Sequence, residues 1–203
     1  SLLNAQPEGD PSRKGVFTSA ILAEHEGHRI ALFFTGRKHA GENMAHVLQK
    51  RASGLDPPTQ MCDALTRNVP QGFRIVLANC LTHARRNFID AMAGFPDKCQ
   101  HVIETLKTIY YHDEISKQKK MTPVERLRFH QAESKPILEK LKEWLEEQLE
   151  KKEVEPNSPT GKAIAYMLKH WDPLTLFLRI PGAPLDNNAV SYTHLTLPTN
   201  REV

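Results

Sequence analysis

The sequence has few cysteines and no long apolar segment, and both absences restrict the class of protein. Three cysteines among 203 residues are too few, and odd in number, for a disulfide framework, which indicates a reducing compartment. No apolar run approaches the ~20 residues that a membrane-spanning helix requires. The first residues also lack the charged-then-apolar pattern of a secretion signal. We therefore expect a cytoplasmic chain with no membrane partner.

The chain also has little excess charge. Lysine and arginine together number 27 and aspartate and glutamate 24, which leaves a net charge of +3. A dedicated nucleic-acid-binding module is usually more basic, so any affinity for DNA must come from local clusters of cations. Hydrophobic residues make up 39% of the sequence, well above the range of disordered chains.

The first half of the sequence alternates between strand-like and helix-like patterns. Two β-rich runs, Val16–Ala23 and Arg29–Thr35, flank a polar turn and predict a hairpin. Further along, the patterns predict helices over Glu42–Arg51, Thr82–Met92 and Asp97–Ser116, a short strand over Thr59–Leu65, and a strand buried on both faces over Phe73–Leu81.

The second half is helical. Thr122, Pro123 and Glu125 form a helix start, and the pattern predicts helix over nearly all of Thr122–Glu155. One helical face, called the leucine face, carries Leu138, Leu141, Leu145 and Leu149. It is either core or the surface of a dimerising module. Strands with helices followed by helices alone predict an α/β domain with a helical insertion or extension.

Asp63 is a carboxylate inside the apolar run Met61–Leu65. A buried carboxylate needs a metal, a cation or a helix N-terminus beside it, or it accepts backbone hydrogen bonds at the end of a strand. The local sequence leaves both interpretations open.

The segment Asn79–Arg86 follows a buried strand and opens a helix, the position at which α/β proteins bind ligands. Cys80 and His83 have the spacing of zinc ligands or of a nucleophile and its base, but neither partner ligands nor an orienting acid is apparent. Arg85 and Arg86 suit contacts to phosphate, with a solvated helix face as the alternative.

Two further turns carry polar groups. Arg37 and Lys38 lie in a glycine-bracketed turn before a helix, where they could contact phosphate or simply be solvated. Asp186 and Asn187 follow a Pro-Gly-Ala-Pro turn and fit the capping of a helix.

Five segments in order, TGRKHAGEN, MCDAL, ANCLTHARRNF, SPTGKAIAYMLKHW and LDNN, resemble the insertion-sequence sixty-six family of bacterial transposases. The resemblance runs from about Val16 to Ala189. It implies a partial ribonuclease-H-like α/β core with a mixed sheet and a large all-helical insertion. Cores of this acidic-triad class bind Mg²⁺ or Mn²⁺ with three carboxylates and perform in-line phosphoryl displacement on DNA.

The resemblance also implies roles for residues. Asp63 becomes the second acid and a metal ligand, and Arg37, Lys38, Arg85 and Arg86 become candidate DNA contacts. His83, Asp186 and Asn187 would support or cap the site. DNA is the implied partner, in the bacterial nucleoid, and association between copies of the chain is a further expectation.

The sequence departs from the family pattern at both ends. The first acid is expected upstream of Ser1, and the third is a glutamate expected shortly after Asn188, where Glu202 does not fit. Residues 191–203 look like translated adapter sequence. We therefore expect a partial core over 1–95, a helical insertion over 96–180, the start of the last core helix over 181–190 and a foreign tail over 191–203. Such a fragment would be inactive alone.

Two other functions are open at this stage. A non-catalytic helical DNA-binding or dimerisation module would use the leucine face and would associate as concentration rises. A different phosphate-handling hydrolase would use Cys80 and His83 and would depend on zinc or on a thiolate.

Overall fold

The structure is a computed structural model that describes residues 12–25 and 28–187. Over those residues, strands and helices alternate first and helices follow, which confirms the α/β class. The strands are β1 (Phe17–His25), β2 (His28–Gly36), β3 (Thr59–Cys62) and β4 (Val76–Asn79). The helices are α1 (Ala40–Gln49), α2 (Leu81–Asp90), α3 (Pro96–Gln118), α4 (Pro123–Glu133), α5 (Lys135–Glu150), α6 (Pro159–Lys169) and α7 (Trp171–Leu174).

The chain divides into two compact units. Of the described residues, the first unit contains 12–25, 28–58, 64–76 and 187, and the second contains 59–63 and 77–186. The second unit therefore holds β3, nearly all of β4 and the helices α2 to α7. The domain boundaries expected from the sequence remain a prediction.

The first unit is built on the predicted hairpin. β1 and β2 are antiparallel, and their register pairs Phe17 with Gly36 and His25 with His28. Ser19 is buried on β1 and accepts a hydrogen bond from the Asn43 side chain of α1 at 3.2 Å. This bond fastens the predicted helix to the hairpin.

The second strand pair is parallel. Val76 N donates to Pro58 O at 2.9 Å and Cys80 N donates to Cys62 O at 3.0 Å, so donor and acceptor advance along the chain together. The prediction of a strand over Phe73–Leu81 was too long. Pro57 and Pro58 have no amide hydrogen and cannot extend the ladder toward Phe73, and Leu81 already begins α2. The described strands form two separate two-stranded sheets and not one mixed sheet.

The helices of the second unit enclose an apolar core. Leu138, Leu141 and Leu145 are each at most 2% exposed and Leu149 is half-buried, so most of the leucine face is core and leaves little surface for a dimerising module. The helix predicted over Thr122–Glu155 is two helices that meet at Ser134, with Pro136 in the first turn of the second. No helix in the described part of the chain is both long and apolar enough to span a bilayer.

The segment SPTG, residues 158–161, forms the start of α6, where its side chains cap and pack the helix. Ser158 Oγ accepts a hydrogen bond from Gly161 N at 3.0 Å and caps the helix. A Cβ on Gly161 would lie 2.2 Å from Glu155 O, so only glycine fits there. Thr160 is fully buried and donates to Ala91 O at 3.3 Å, which joins α6 to the end of α2.

The structure describes only part of the C-terminal region for which the sequence made predictions. Residues 181–187 contain no helix, and 188–190, where the last core helix was to begin, lie outside the described residues. The proposed foreign tail, residues 191–203, lies outside them as well.

Candidate functional site

The candidate site lies where β3 and β4 end. Asp63 is half-buried and is the first residue after β3. The carbonyl of the preceding Cys62 accepts the hydrogen bond from Cys80 N, immediately before α2 begins. The carboxyl ends of the two parallel strands therefore place Asp63 beside the first turn of α2, the edge at which sheets of this kind bind ligands.

Asp186 reaches the same turn of α2 from far along the sequence. Leu81 N donates to Leu185 O at 3.0 Å, and Thr82 Oγ1 donates to Asp186 Oδ2 at 3.2 Å. Asp63 thus follows Cys62, whose carbonyl accepts from Cys80 N, and Asp186 follows Leu185, whose carbonyl accepts from Leu81 N. The structure brings together the two acidic segments that the sequence separates by more than a hundred residues.

Tyr110 of α3 closes one side of this cluster. Its hydroxyl lies 2.8 Å from Thr82 Oγ1. Burial raises the pKa of the Tyr110 phenol, and the hydrogen bond with Thr82 only partly offsets that rise. The nearby charge of Asp186 raises the pKa further, so the phenol is a neutral hydrogen-bonding group at physiological pH.

The cysteines near the site are unsuited to nucleophilic chemistry. Cys80 is fully buried, and burial, with smaller contributions from Asp63 and Cys80, raises the pKa of Cys62 to about 11. With its raised pKa the Cys62 thiol stays protonated, and the full burial of Cys80 keeps a substrate away from its sulfur. In the part of the chain that the structure describes, no group of three or more His, Cys, Asp or Glu residues is arranged to hold a metal. A zinc hydrolase built on Cys80 and His83 therefore has no support in the geometry.

Two polar atoms at the junction of β4 and α2 are buried and meet no hydrogen-bonding group in the described part of the chain. Asn79 is 1% exposed; its Nδ2 lies 3.5 Å from Cys62 O, whereas its Oδ1 meets no hydrogen-bonding group among the described residues. His83 Nδ1 likewise meets no hydrogen-bonding group among the described residues. The N-cap residue of α2 is Cys80, so His83 does not cap the helix. An unsatisfied buried polar atom costs roughly 1–3 kcal/mol, so a water molecule or hydrated ion at this junction would be stabilised.

The candidate DNA contacts fall in both units. Arg85, half-buried, and Arg86, exposed, lie on α2 in the unit that contains Asp63. Arg37 and Lys38 lie in the first unit between β2 and α1, where the Arg37 carbonyl accepts a hydrogen bond from Arg13 at 3.0 Å. Arg13 and Arg67, which no sequence pattern singled out, line a cleft of about 310 Å³ at the start of α1.

A buried ionic cluster among the helices was likewise not predicted from the sequence. Asp113 of α3 is 4% exposed and accepts bonds from Arg126 Nε and Nη2 at 2.9 and 2.7 Å and from Lys117 at 2.8 Å. His130, fully buried, lies 3.4 Å from the same carboxylate. The available signal was an aspartate on the apolar face of a helix, one turn from Ile109.

Comparison with known proteins places the chain in a family. A model of the family described as Transposase IS66 family matches residues 5–191. Two uncharacterized proteins of Sinorhizobium fredii (strain NBRC 101917 / NGR234) are similar to it. The protein y4jD is 31% identical over 129 residues, which is 62% of this chain and 24% of that protein.

The protein y4hP is 32% identical over 148 residues, 68% of this chain and 25% of that protein. The chain thus spans about a quarter of the length of the curated relatives it matches. No solved structure matches it. Because the family match covers most of the sequence, the chain belongs to the transposase IS66 family.

Proposed function

We propose that the chain is an internal part of the catalytic core of a DNA transposase of the acidic-triad class, which cleaves and joins DNA strands. The observation that carries the proposal is the meeting of Asp63 and the Asp186 segment at the first turn of α2. An antiparallel hairpin and a parallel pair that ends in a carboxylate are both elements of the ribonuclease-H-like core that the family resemblance implies.

The donor atoms at this junction fit Mg²⁺ or Mn²⁺. Asp63, Asp186 and the orphaned Oδ1 of Asn79 offer only oxygen, which these hard cations prefer, and Mg²⁺ commonly uses one or two carboxylates with water and substrate phosphate. Asp63 would be a direct ligand. When bound, such ions activate the attacking oxygen and stabilise the leaving oxygen of the phosphodiester.

The other residues of the site would orient the acids and the DNA. Thr82 donates to Asp186 and fixes one of its oxygens, while Tyr110 holds the Thr82 hydroxyl. Arg85 and Arg86, one helical turn further along α2, would contact phosphates on the approaching strand. Arg37 and Lys38 would add backbone contacts in the first unit.

Catalysis would require residues beyond those present. The proposed triad needs a first acid before Ser1 and a glutamate after Asn188, and Asp63 supplies the second. A metal site with one of its three acids has lost most of the charge that holds the cation, so we infer that this chain alone does not cleave DNA.

The decisive experiment replaces Asp63 with asparagine in a complete transposase that contains this chain. Asp63→Asn should abolish strand transfer and leave DNA binding nearly unchanged, because the amide removes a metal ligand and no phosphate contact. The matched control is Asp56→Asn, which alters an exposed aspartate in a loop of the first unit. Equal strand transfer by Asp63→Asn and Asp56→Asn would reject the role of Asp63.

A further inference from the structure

The guanidinium of Arg126 donates hydrogen bonds to two partners, the Asp113 carboxylate and the Ala183 carbonyl. Nε and Nη2 both donate to Asp113 Oδ1, and Nη1 donates to Ala183 O at 2.7 Å. Arg126 lies on α4 and Asp113 lies on α3, so the ion pair joins two helices of the insertion. Its third bond leaves the helices and ends on the segment that leads to Asp186.

That segment has no regular structure of its own to hold it. Residues 183–186 belong to no helix or strand; Ala183 and Leu185 are buried, and hydrogen bonds to other elements fix the backbone of the segment. Arg126 holds Ala183, Leu81 N holds Leu185, and Thr82 holds the carboxylate of Asp186. Two of these bonds come from α2 beside the candidate site, and the one from Arg126 comes from the helical insertion.

The ion pair is itself firmly fixed. Burial alone would raise the pKa of Asp113, but hydrogen bonds from His130 and Lys117 and the charge of Arg126 outweigh burial and hold the pKa well below its ordinary value. The other ring nitrogen of His130 lies 2.9 Å from Ser134 Oγ. Asp113 is therefore a charged, oriented acceptor. It takes up Nε and Nη2 of Arg126, so Nη1 is the nitrogen that donates to Ala183 O.

We propose that Arg126, oriented by Asp113, is a positioning residue that holds the Asp186 segment against the first turn of α2. The inference rests on the proposed function for the importance of Asp186. The helical insertion is then a structural support of the catalytic site and not an appendage to it.

The test compares hydrogen exchange at single amides in this chain by NMR. In Arg126→Lys, the ammonium keeps the charge beside Asp113 but cannot bond to Asp113 and Ala183 together. Exchange at Leu81, whose amide reports the docking of Leu185, should accelerate about tenfold, the loss expected for one hydrogen bond. Exchange at Leu106 and Leu145, in the core of α3 and α5, should keep a steeper dependence on urea than exchange at Leu81, because those amides need a larger opening.

The matched control is Arg128→Lys, an exposed arginine on the same helix, which should change none of these rates. The proposal is overturned if Leu81 exchange stays at the wild-type rate in Arg126→Lys. It is also overturned if exchange at Leu81 has the same urea dependence as exchange at Leu106 and Leu145, because Leu81 would then report only the unfolding of the whole unit.

A measurement on the wild-type chain serves if Arg126→Lys does not fold. The Nη1 protons of Arg126, which donate to Ala183 O, and the amide proton of Leu81 should exchange through one local opening, with the same dependence on urea. Different urea dependences would show that the two bonds open separately and would overturn the proposal. Since neither measurement involves DNA or metal, their failure is distinct from a failure of the proposed catalytic role.

Discussion

Replacing Asp113 with asparagine should strongly destabilise the chain. The carboxylate side chain is 6% exposed and faces Arg126, which is 16% exposed, and the fully buried His130. Removing one charge of a buried pair costs about 3–5 kcal/mol because the other charge stays buried without compensation. Arg126 keeps some contact with solvent and its hydrogen bond to Ala183, so we expect the lower end of this range, about 3 kcal/mol. That is a large fraction of the roughly 5–15 kcal/mol by which domains are stable.

The destabilisation should depend on pH in one direction. The folded pKa of Asp113 is lowered, so its contribution to stability is complete above the unfolded pKa of about 3.9 and is lost as the pH falls through the folded value. The difference between wild type and Asp113→Asn should therefore be constant near neutrality. Between pH 5 and pH 3 it should shrink by about 1 kcal/mol.

Urea unfolding followed by circular dichroism at pH 7, 5 and 3 measures both effects. The exposed Asp56→Asn serves as the control and should stay within about 0.5 kcal/mol of wild type. The reasoning is refuted if Asp113→Asn falls in that same range at pH 7. A difference of the same size at pH 7 and pH 3 would show that the charge of Asp113 does not contribute.

Three further predictions concern packing and charge. Leu145→Ala, in the fully buried leucine face, should lower the free energy of unfolding by about 3 kcal/mol in a urea titration, and a loss under 1 kcal/mol would place this leucine outside the core. Gly161→Ala should cost at least about 2 kcal/mol, because its Cβ would collide with Glu155 O, and an unchanged melting temperature would contradict that close approach. Neutralising Arg85 and Arg86 together should lower the slope of log affinity for duplex DNA against log salt by roughly 2, and an unchanged slope would mean that they do not contact phosphate.

Local sequence patterns predicted the local structure. The hairpin and the helix start at Thr122 followed from neighbouring residues, and the structure confirms both. The strand predicted over Thr59–Leu65 was too long, because it ends at Cys62 and Asp63 follows it. The capping box at Thr122 has both expected bonds, from Glu125 N at 3.3 Å and to the Glu125 carboxylate at 2.8 Å. These features need only contacts within a few residues.

Contacts between distant residues could not be predicted in this way. Thr82 meets Asp186 across 104 positions, and Arg126 meets Ala183 across 57. Both depend on how helices cross, which periodicity does not specify. The spacing of Cys80 and His83 kept a hydrolase open as an alternative, because a ligand-like interval says nothing about whether other ligands converge there.

The distribution of the cysteines makes the chain its own probe of unfolding. Cys62, Cys80 and Cys99 are all buried, and all three lie in the second unit, so the first contains no thiol. Cys62 and Cys80 flank the candidate site, whereas Cys99 lies on α3 with its sulfur 3.6 Å from the Thr160 hydroxyl. A thiol-modifying reagent can reach them only through opening of the structure around each one. Mass spectrometry of partially alkylated protein would thus time the opening of the strand edge separately from the opening of the helices, with no label or substitution added.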